Sequence, residues 1–432
     1  MSRERLHKGR IVLTTFGSLG DLNPFIALAR GLQNRGYQPV VATSAYYNKY
    51  VCDAGLHFHP VRPDVDPDDK AVLQRAMHPR RGTKVILREI VFPGITDTYA
   101  DLNSVLQNAD ALITHSISYA GHIIAEKNNL AWISVVLAPI VFLSAYDMPV
   151  LQGFPFSPFL EKLGPATNRF FVKLIKQVSL RWCRPVLRLR ANLGLTPGKH
   201  PIFEAQHSPL LVLAMFSDIL ARQQPDWPVN TRITGYGFYD AAVEQSDWPP
   251  GLDQFLNAGP PPVVFALGSV AVYAAGDFYH TAAKAAAILG KRAVLVVGKD
   301  TDNLPAGELP PDIIAVDYAR YSKLFPKAAV IVHQGGIGTT GQALRAGKPT
   351  LVVPFAHDQP DNARRIERMG ISRTLPLKQC TVRVMARAIG ELLEDPKTVQ
   401  RAGEVGAKVG SEDGIAAACD AIEAVLMEKK RA

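Results

Sequence analysis

Apolar runs, glycine-rich turns and helical patterns follow one another from the beginning of the chain. Residues 11–16 form an apolar run typical of a strand, and the residues at 17–21, Gly-Ser-Leu-Gly-Asp, are typical of a turn. A helix is predicted next, with Asn23 as its N-cap and Pro24 at its first position. Residues 38–43 are typical of a second strand. This order predicts a βαβ unit.

The same alternation continues along the rest of the chain. Further strands are predicted over residues 111–114, 132–137, 262–269, 293–297, 330–333 and 350–354. Strands that alternate with helical patterns favour parallel sheets covered by helices on both faces. Because the pattern starts again at residue 262, the sequence predicts an α/β protein with two Rossmann-like halves.

A segment rich in proline and aromatic residues separates the two halves. Residues 224–228, Gln-Pro-Asp-Trp-Pro, and 247–251, Asp-Trp-Pro-Pro-Gly, interrupt the alternation, which is typical of a linker. We place the boundary near residue 240. The predicted domains are therefore 1–240, which includes the linker from about 224, and 241–432.

The composition is that of a folded protein with a local excess of positive charge. Of the 432 residues, 47% are apolar and 20% charged, which is unlike the composition of disordered chains. Lysine and arginine number 48 against 39 acids, and residues 162–203 hold nine basic residues and no acid. The whole net charge of +9 therefore lies in this segment, because the rest of the chain carries 39 charges of each sign.

The four cysteines and the apolar segments favour a location in the cytoplasm. The cysteines lack the spacing of a zinc site or a disulfide framework, which favours a reducing compartment. The apolar run after the basic start is interrupted by polar residues and ends at Asp21, unlike an export signal. The uncharged stretch at 128–146 contains asparagines and a proline, so we expect a buried strand and loop.

The densest chemical motif follows the strand predicted at 330–333. His333 is followed by Gln-Gly-Gly-Ile-Gly and then by Thr339 and Thr340. Glycines at a strand end let backbone amides approach a ligand, and the next helix offers unpaired N–H groups at its positive end. Such a turn suits a diphosphate, to which His333 and the two threonine hydroxyls can add hydrogen bonds.

This motif, in its context, resembles the donor-binding signature of glycosyltransferase family 1. The resemblance rests on the string at 333–362, supported by the turn at 17–21 with its following Asn-Pro and by Leu-Gly-Ser at 267–269. The chain looks most similar to bacterial members such as the rhamnosyltransferase of rhamnolipid synthesis, with sterol and antibiotic glycosyltransferases as further relatives. The resemblance implies the GT-B fold, in which two Rossmann-like domains face a central cleft.

The resemblance also implies an activity and assigns roles to the two domains. It implies an inverting, metal-independent transfer of a sugar from a UDP or dTDP donor to a hydroxyl of an apolar small molecule or lipid, with no further cofactor. The N-terminal domain would bind the acceptor and the C-terminal domain the nucleotide sugar. An aspartate has an ordinary pKa near 3.9, so the candidate base, Asp21, would accept the proton as the new bond forms.

The remaining roles follow from the same resemblance, residue by residue. Gly17, Ser18 and Gly20 would form the loop that carries Asp21. The diphosphate would be held by Gly268, Ser269, His333, Gly335, Gly336, Gly338, Thr339 and Thr340. Tyr318 and Ala319 would face the nucleobase, while Asp358 and Gln359 would hold the sugar. Plant members carry a glutamate for the ribose where this chain has Gly341, so the choice between uridine and thymidine stays open.

Each of these residues also has a purely structural interpretation. Asp21 could cap a helix, His333 could be a core histidine, and Ser269 could belong to an ordinary turn. Two other functions also stay open: a nicotinamide-dependent oxidoreductase, and a non-catalytic accessory protein that binds nucleotide sugars. Against the oxidoreductase, the turn at 17–21 lacks the third glycine of the dinucleotide fingerprint.

The Asp-Val-Asp at 64–66 has the form by which another glycosyltransferase architecture binds a divalent metal. It lies in an acidic, proline-rich stretch at 63–69, so a solvated loop is the favoured interpretation. We therefore expect activity to survive chelation.

Two regions of the N-terminal half are candidates for the acceptor site. His115 and Ser116 follow the strand predicted at 111–114, where the cleft is expected to open, although a local cap or turn is slightly favoured for them. The nearly uncharged stretch at 128–160 is expected to be mostly core and could also line an apolar site. Its aromatic residues are Phe142, Tyr146, Phe154, Phe156 and Phe159. From these regions we select Ser116 and Phe142.

The basic segment at 162–203 has helical spacing on both sides of Pro185. The proline favours two helices over one. Their basic faces could simply be solvated, or they could make peripheral contact with an anionic membrane, such as the inner membrane surface. No nucleic-acid partner is expected, because no recognition motif accompanies the charge.

Overall fold

The computed structural model describes residues 8–151, 157–240, 248–305 and 307–431. Phe154 and Phe156 of the aromatic stretch lie outside the described residues, as do residues 241–247 of the predicted linker. Two parallel sheets form the centre of the fold, and α-helices lie between most successive strands. The α/β expectation is confirmed.

The first sheet has seven parallel strands. They are β1 (Arg10–Thr14), β2 (Gln38–Thr43), β3 (His57–Pro60), β4 (Ala111–His115), β5 (Ala131–Val136), β6 (Leu211–Ala214) and β7 (Thr231–Ile233). Their order is β3-β2-β1-β4-β5-β6-β7. The order reverses between β1 and β4, so the loops that follow these two strands diverge and open a crevice there.

The second sheet has six parallel strands. They are β8 (Val263–Ala266), β9 (Ala293–Val296), β10 (Ile313–Val316), β11 (Val330–His333), β12 (Thr350–Val352) and β13 (Ser372–Thr374). Their order is β10-β9-β8-β11-β12-β13. The switch point lies between β8 and β11, which places the loop at 267–270 beside the loop at 334–336.

Seventeen α-helices occur in the described part of the chain. In the first half they are α1 (Leu19–Asn34), α2 (Asn48–Asp53), α3 (Lys70–Ala76), α4 (Gly82–Val85), α5 (Ile95–Val105), α6 (Tyr119–Asn128), α7 (Ser157–Leu160), α8 (Gly164–Leu180) and α9 (Arg184–Asn192). In the second half they are α10 (Leu252–Asn257), α11 (Phe278–Ile288), α12 (Tyr321–Leu324), α13 (Ile337–Ala346), α14 (Gln359–Arg368), α15 (Val382–Glu394), α16 (Pro396–Gly410) and α17 (Gly414–Arg431). No helix in this part of the chain combines the length and apolar character needed to cross a membrane.

The start of α1 differs from the sequence prediction. The helix begins at Leu19 with Ser18 as N-cap, and Pro24 lies inside it, so the prediction of an N-cap at Asn23 is wrong. Ser18 and Asp21 form a capping box. The Ser18 side chain accepts a hydrogen bond from the backbone of Asp21, and the Asp21 side chain accepts one from the backbone of Ser18. This cap satisfies the first amides of the helix five residues earlier than expected.

The first residues of the predicted linker pack against the first sheet and include its edge strand. Residues 231–233 form β7, and Trp227 is buried, with its ring stacked on Phe142 at 4.0 Å between centroids. The Asp226 carboxylate accepts hydrogen bonds from Ser144 Oγ at 2.6 Å and from the backbone N–H of Ala145 at 2.7 Å. The Gln-Pro-Asp-Trp-Pro string therefore anchors the loop that follows β5.

The last helix returns to the first sheet. Ala418, Cys419 and Ile422 of α17 are fully buried in the same cluster as Phe25 of α1 and Leu213 of β6. The predicted C-terminal domain, 241–432, thus places its final helix on the other domain. Its bounds otherwise stay a prediction.

Candidate active site

The loop after β1 presents the carboxylate of Asp21 in a fixed orientation. Its Oδ2 accepts hydrogen bonds from the backbone N–H of Ser18 at 2.8 Å and from Ser18 Oγ at 3.1 Å. Gly17 has φ of 129°, and a Cβ at that position would lie 2.3 Å from Oδ2, so a side chain there would displace the carboxylate. Asp21 does contribute to capping, but only through Oδ2, so Oδ1 can face the cleft.

His115, at the end of β4, is a titratable neighbour of Asp21 in the first domain. Its Nε2 lies 3.9 Å from Asp21 Oδ1, and the ring packs edge-on against Phe25. Burial lowers the pKa of His115, although the Asp21 charge acts to raise it. The lowered pKa favours the neutral imidazole. The alternative of a mere cap or turn for His115 is therefore incomplete, because the side chain reaches the candidate base.

His333 lies at the end of β11 and is fully buried. Its Nδ1 accepts a hydrogen bond from the backbone N–H of Gly335 at 3.0 Å, so the proton of the neutral ring lies on Nε2. Burial lowers the pKa of His333 to about 3, which keeps the ring neutral. Nε2 has no hydrogen-bond partner among the described residues. The side chain is thus an oriented, uncharged N–H donor at the strand end.

The N-terminus of α13 follows directly. Gly336 is its N-cap, and Gly335 has φ of 88°, which turns the chain from the strand into the helix. Thr339 Oγ1 accepts a hydrogen bond from Gln334 Nε2 at 3.3 Å. Thr340 is fully buried, and its hydroxyl has no partner within the described ranges. Backbone amides, a helix dipole and side-chain donors therefore converge at one point.

The N-termini of α1 and α13 face each other across the two domains. A Cβ on Gly338 would lie 3.7 Å from the Cα of Gly20, which is van der Waals distance. Two positive helix ends thus approach each other where the chain has only glycine on either side. A negatively charged group bound beside this contact would be stabilised by both helices.

Asp358 and Asn362 occupy the start of α14. Asn362 Nδ2 donates hydrogen bonds to Asp358 Oδ2 at 2.7 Å and to the backbone oxygen of Gly335 at 2.9 Å. Burial raises the pKa of Asp358 to about 7, against the effect of the Asn362 hydrogen bond, and the charge of Asp21 adds to the rise. Asp358 therefore lies within electrostatic reach of Asp21 and is tied to the glycine turn after β11.

The side-chain oxygen of Gln359 bonds to the protein backbone, whereas the resemblance assigns this side chain to the sugar. It is buried, and its Oε1 accepts hydrogen bonds from the backbone N–H groups of Phe355 and Ala356 at 2.8 and 3.0 Å. The side-chain oxygen therefore shapes the loop after β12. Only the amide nitrogen can still donate to a sugar hydroxyl.

His357 joins this loop to the first domain. Its backbone has φ of 59°, a conformation that few residues other than glycine adopt. Nδ1 lies 3.2 Å from Thr83 Oγ1 of α4, within hydrogen-bond distance. Burial lowers the pKa of His357, and the opposing influence of Asp21 again places this loop close to the candidate base.

A buried ion network holds α14 against the first domain. Arg365 bonds to Asp147 at 2.5 Å and to Asp361 at 2.7 Å, and the three side chains are 5%, 16% and 3% exposed. The backbone N–H of Val150 also donates to Asp361 at 2.9 Å. The loop after β5 is thereby fixed to the helix that carries Asp358 and Asn362.

The other predicted donor residues lie on the remaining loops of the second sheet. Ser269, in the loop after β8, is exposed, and Tyr318 is 58% exposed. Ala319 is fully buried within a core cluster, so only its backbone could face a nucleobase. A Cβ on Gly341 would lie 2.7 Å from the ring of Tyr236, so this chain has no room for the glutamate of plant members.

A narrow apolar cavity lies beside the loop after β1. Its free internal volume is only about 20 Å³, room for about one water molecule, so the cavity is nearly closed in this structure. The lining combines the end of β1, the segment around cis-Pro63, the first turn of α5 with the residue Val91 before it, and the turn from β4 into α6. Its apolar lining residues include Phe16, Val61, Val91, Ile95, Ile117 and Ala120. Phe16 directly precedes Gly17, so the cavity adjoins the loop that carries Asp21.

The two residues selected for the acceptor site do not line this cavity. Phe142 is buried between Trp227 and His207, with ring stacking on both, and belongs to a core cluster. Ser116 is also buried and is replaced in the lining by its neighbours Ile117 and Ser118. Phe142 therefore packs in the core, with its ring against Trp227, and its assignment to the acceptor site stays a prediction.

The Asp-Val-Asp string has local partners. Asp64 Oδ1 accepts hydrogen bonds from Ser44 Oγ at 2.9 Å and from the backbone N–H of Ala45 at 2.7 Å. Asp66 Oδ1 accepts one from the backbone N–H of Asp68 at 2.9 Å. These bonds are those of a capped loop, as the favoured interpretation expected.

Several site residues escaped the sequence analysis. Thr83 and His357 meet only because the two domains meet, and nothing near Thr83 in the sequence marks it. Phe16 was read only as the last residue of a strand. His357 could have been noticed, because it directly precedes Asp358 in the resembling string.

Two family models match the chain. Residues 11–146 match the glycosyltransferase family 28 N-terminal domain, and residues 286–421 match the C-terminal domain of erythromycin biosynthesis protein CIII-like proteins. The first range contains β1 and β4 with Asp21 and His115, and the second contains β11 to β13 with His333 and Asp358. The loop that carries Asp21 and the loops that follow β11 and β12 therefore lie in matched regions.

Individual relatives agree with these matches. The chain is 32% identical over 427 residues to O-mycaminosyltylonolide 6-deoxyallosyltransferase of Streptomyces fradiae, a match that covers 96% of this chain and 97% of that enzyme. It is 31% identical over 438 residues to sterol 3-beta-glucosyltransferase of Neosartorya fischeri, covering 96% of this chain but only 29% of that protein. The solved glycotransferase of kitacinnamycin has the same fold, with a TM-score of 0.70, 22% identity and coverage of 97% and 99%. The chain thus belongs to the glycosyltransferases that combine these two domains, and it is a GT-B enzyme.

Proposed function

We propose that the enzyme transfers a sugar from a UDP or dTDP donor to a hydroxyl of an apolar acceptor, with inversion and with Asp21 as general base. The observation that carries this proposal is the placement of Asp21 on one domain opposite His333 and the α13 N-terminus on the other. A base and an anion-binding turn then lie on opposite sides of one cleft.

The reaction would be a single displacement. The acceptor oxygen bonds to the anomeric carbon while the bond from that carbon to the phosphate oxygen breaks. The acceptor proton passes to Asp21 Oδ1, and the nucleoside diphosphate leaves with the electron pair. Ser18 holds Oδ2, so the carboxylate keeps its orientation throughout. Attack from the side opposite the diphosphate inverts the configuration of the carbon.

The leaving group would be stabilised by fixed dipoles. His333 Nε2 donates one hydrogen bond, and the amides of the α13 N-terminus add others without any reorganisation. Asp358 and Asn362 would bind sugar hydroxyls next to this turn. Such an arrangement supplies the electrophilic help that a divalent metal gives in other enzymes, which supports metal-independent transfer.

The acceptor is proposed to be apolar because of the cavity beside Asp21. Phe16, Val61 and Ile117 are among its lining residues, and the cavity begins at the residue before Gly17. An acceptor that docks an apolar edge against these residues would have its hydroxyl near the carboxylate. The sterol named for one relative is a compound of this kind, which supports an apolar ring system or lipid as the substrate class.

The competing functions predict different ligands. A nicotinamide-dependent oxidoreductase should be stabilised by NAD, whereas the proposed enzyme should be stabilised by UDP or dTDP. Thermal unfolding with each ligand tests the donor, with the His333→Ala variant as the matched control for the proposed diphosphate contact. Stabilisation by NAD alone would overturn the proposal.

Product analysis distinguishes the enzyme from a non-catalytic accessory protein. Nucleotide sugars are incubated with the protein and a panel of apolar alcohols or lipids, and mass spectrometry detects the gain of one hexose or deoxyhexose. The configuration of the new bond, measured by NMR, should be opposite to that of the donor. A product with retained configuration would contradict the single displacement.

A further inference from the structure

Helix α8, in the basic segment, has an apolar surface that the described protein does not cover. The helix has 17 residues, and only the polar residues Asn168 and Ser179 are buried. Phe170, Leu174 and Val178 are 65%, 43% and 58% exposed. These three residues recur every fourth position, so they form a stripe along two turns of the helix, which we name the α8 stripe.

Polar contacts attach this helix to the rest of the first domain. Asn168 Nδ2 donates to the backbone oxygen of Ala145 at 3.0 Å, and Lys176 pairs with Glu204 at 3.0 Å. His200 Nε2 lies 2.9 Å from the backbone oxygen of Lys176. Most surface helices bury their apolar face against the core, whereas α8 half-buries Phe171, Val172 and Ile175 and leaves the α8 stripe exposed.

Basic residues border the α8 stripe. Arg169 and Lys173 each precede a stripe residue by one position, which places them about 100° around the helix from it. Both are exposed, and residues 162–203 contain no acid. Within the described part of the chain, Lys176 forms an ion pair with Glu204 and Arg190 with Glu126. The other basic residues of the segment keep the surface positive.

We propose that α8 docks the enzyme on an anionic lipid surface, with the α8 stripe inserted and the flanking basic residues at the phosphates. An exposed apolar stripe beside a basic, acid-free border is the pattern of a helix that lies in a membrane interface. A second copy of this chain would carry the same positive charge on this face and would be repelled. The docking proposal rests on the proposed function in one respect only. The proposed apolar acceptor would reside in lipid, which gives the enzyme a reason to bind a lipid surface.

The position of α8 fits delivery of such an acceptor. Asn168 bonds to the loop after β5, and residues Asp147 and Val150 of that loop bond to α14. Two sets of contacts therefore connect the docking helix with the helix that begins beside Asp358. A lipid surface at α8 would lie on the same side of the molecule as this loop.

Vesicle sedimentation tests the proposal directly. The full chain is mixed with phosphatidylcholine vesicles, with or without about 30% phosphatidylglycerol, at low salt and at about 0.5 M salt. We expect binding to the anionic vesicles that weakens at high salt. The triple variant Phe170→Ser, Leu174→Ser, Val178→Ser should lower the partition coefficient about tenfold or more.

Matched controls separate docking from general surface effects. Val229→Ser and Ile288→Ser change exposed apolar residues elsewhere, at 96% and 64% exposure, and should leave vesicle binding within about twofold. Circular dichroism of each variant verifies folding, and thermal shift with UDP or dTDP reports donor binding separately. If the native chain binds vesicles but is not stabilised by UDP or dTDP, the proposed function is contradicted and the docking proposal is not.

Other outcomes overturn the docking proposal. One such outcome is vesicle binding that is equally strong with and without phosphatidylglycerol. The other is a partition coefficient that does not change in the triple variant. Concentration-dependent dimerisation that the triple variant abolishes, without vesicle binding by the native chain, would instead assign the α8 stripe to a second copy.

Discussion

Replacing Arg365 by methionine removes the guanidinium at the centre of the buried ion network between the domains. Among the contacts of the described residues, Asp361, at 3% exposure, would then keep the Val150 N–H, and Asp147 would keep the more distant Arg368 at 3.5 Å. Removing one partner of a buried ion pair typically lowers the free energy of unfolding by about 3–5 kcal/mol. We expect a loss in this range for Arg365→Met.

A matched substitution calibrates the measurement. Arg373 Nε pairs with Glu391 at 3.1 Å, but the two side chains are 51% and 45% exposed. Arg373→Met should therefore lower the free energy of unfolding by less than about 1 kcal/mol. Asp147→Asn, which leaves Arg365 paired with Asp361, should fall between the two, at about 1–3 kcal/mol.

Urea denaturation, extrapolated to water, measures all three variants. Equal losses for Arg365→Met and Arg373→Met would refute the reasoning, because burial would then have no influence on the pair. A loss below about 1 kcal/mol for Arg365→Met would refute it as well.

Three further predictions concern the donor side of the cleft. His333→Ala should weaken nucleoside diphosphate binding about ten- to a hundredfold, as for the loss of a hydrogen bond to a charged group, and unchanged affinity in calorimetry would remove His333 from the donor site. The folded-state pKa of Asp358 is about 7, above its ordinary value of 3.8, so its stabilising contribution is present below pH 4 and is lost as the pH rises through 7. Asp358→Asn should therefore raise the melting temperature relative to the native chain more at pH 8 than at pH 5, and an equal difference at both values would speak against a buried carboxylate. EDTA should leave the transfer rate unchanged, and a loss that manganese restores would assign a metal to the reaction.

Most of the central strands could be predicted because they are buried on both faces. β11 occupies the predicted residues 330–333, and β2 and β4 differ little or not at all from their predicted ranges. A strand covered by helices on both sides must be apolar throughout, so its sequence identifies it. The sequence analysis did not predict β3, β6, β7, β10 and β13. Four of these lie at sheet edges, whereas β6 is central and fully buried, so burial alone does not make a short strand recognisable.

The split of the basic segment was also predictable. α8 ends at Leu180 and α9 begins at Arg184, as Pro185 indicated. Proline fits the first turn of a helix but not its interior hydrogen-bond ladder, so a local rule decides the break. Pro24 shows the limit of this rule, because the Ser18 capping box starts α1 earlier and the proline lies inside the helix.

The contacts across the cleft could not be predicted from local sequence. Thr83 and His357, or Asp147 and Arg365, are far apart in the chain and meet only through the docking of the two domains. Phe142 shows the same limit from the other side, since an exposed aromatic wall and a stacked core pair have the same local sequence. Side-chain partners beyond one element depend on packing that no periodicity encodes.

Asp21→Asn tests the central claim most directly. The amide oxygen can still accept the hydrogen bonds from Ser18, so the loop and the helix start should be preserved. Transfer should fall by about a hundred- to ten-thousandfold, the usual contribution of a general base, while calorimetric affinity for UDP or dTDP stays unchanged. A transfer rate equal to that of the native enzyme would show that Asp21 is not the base.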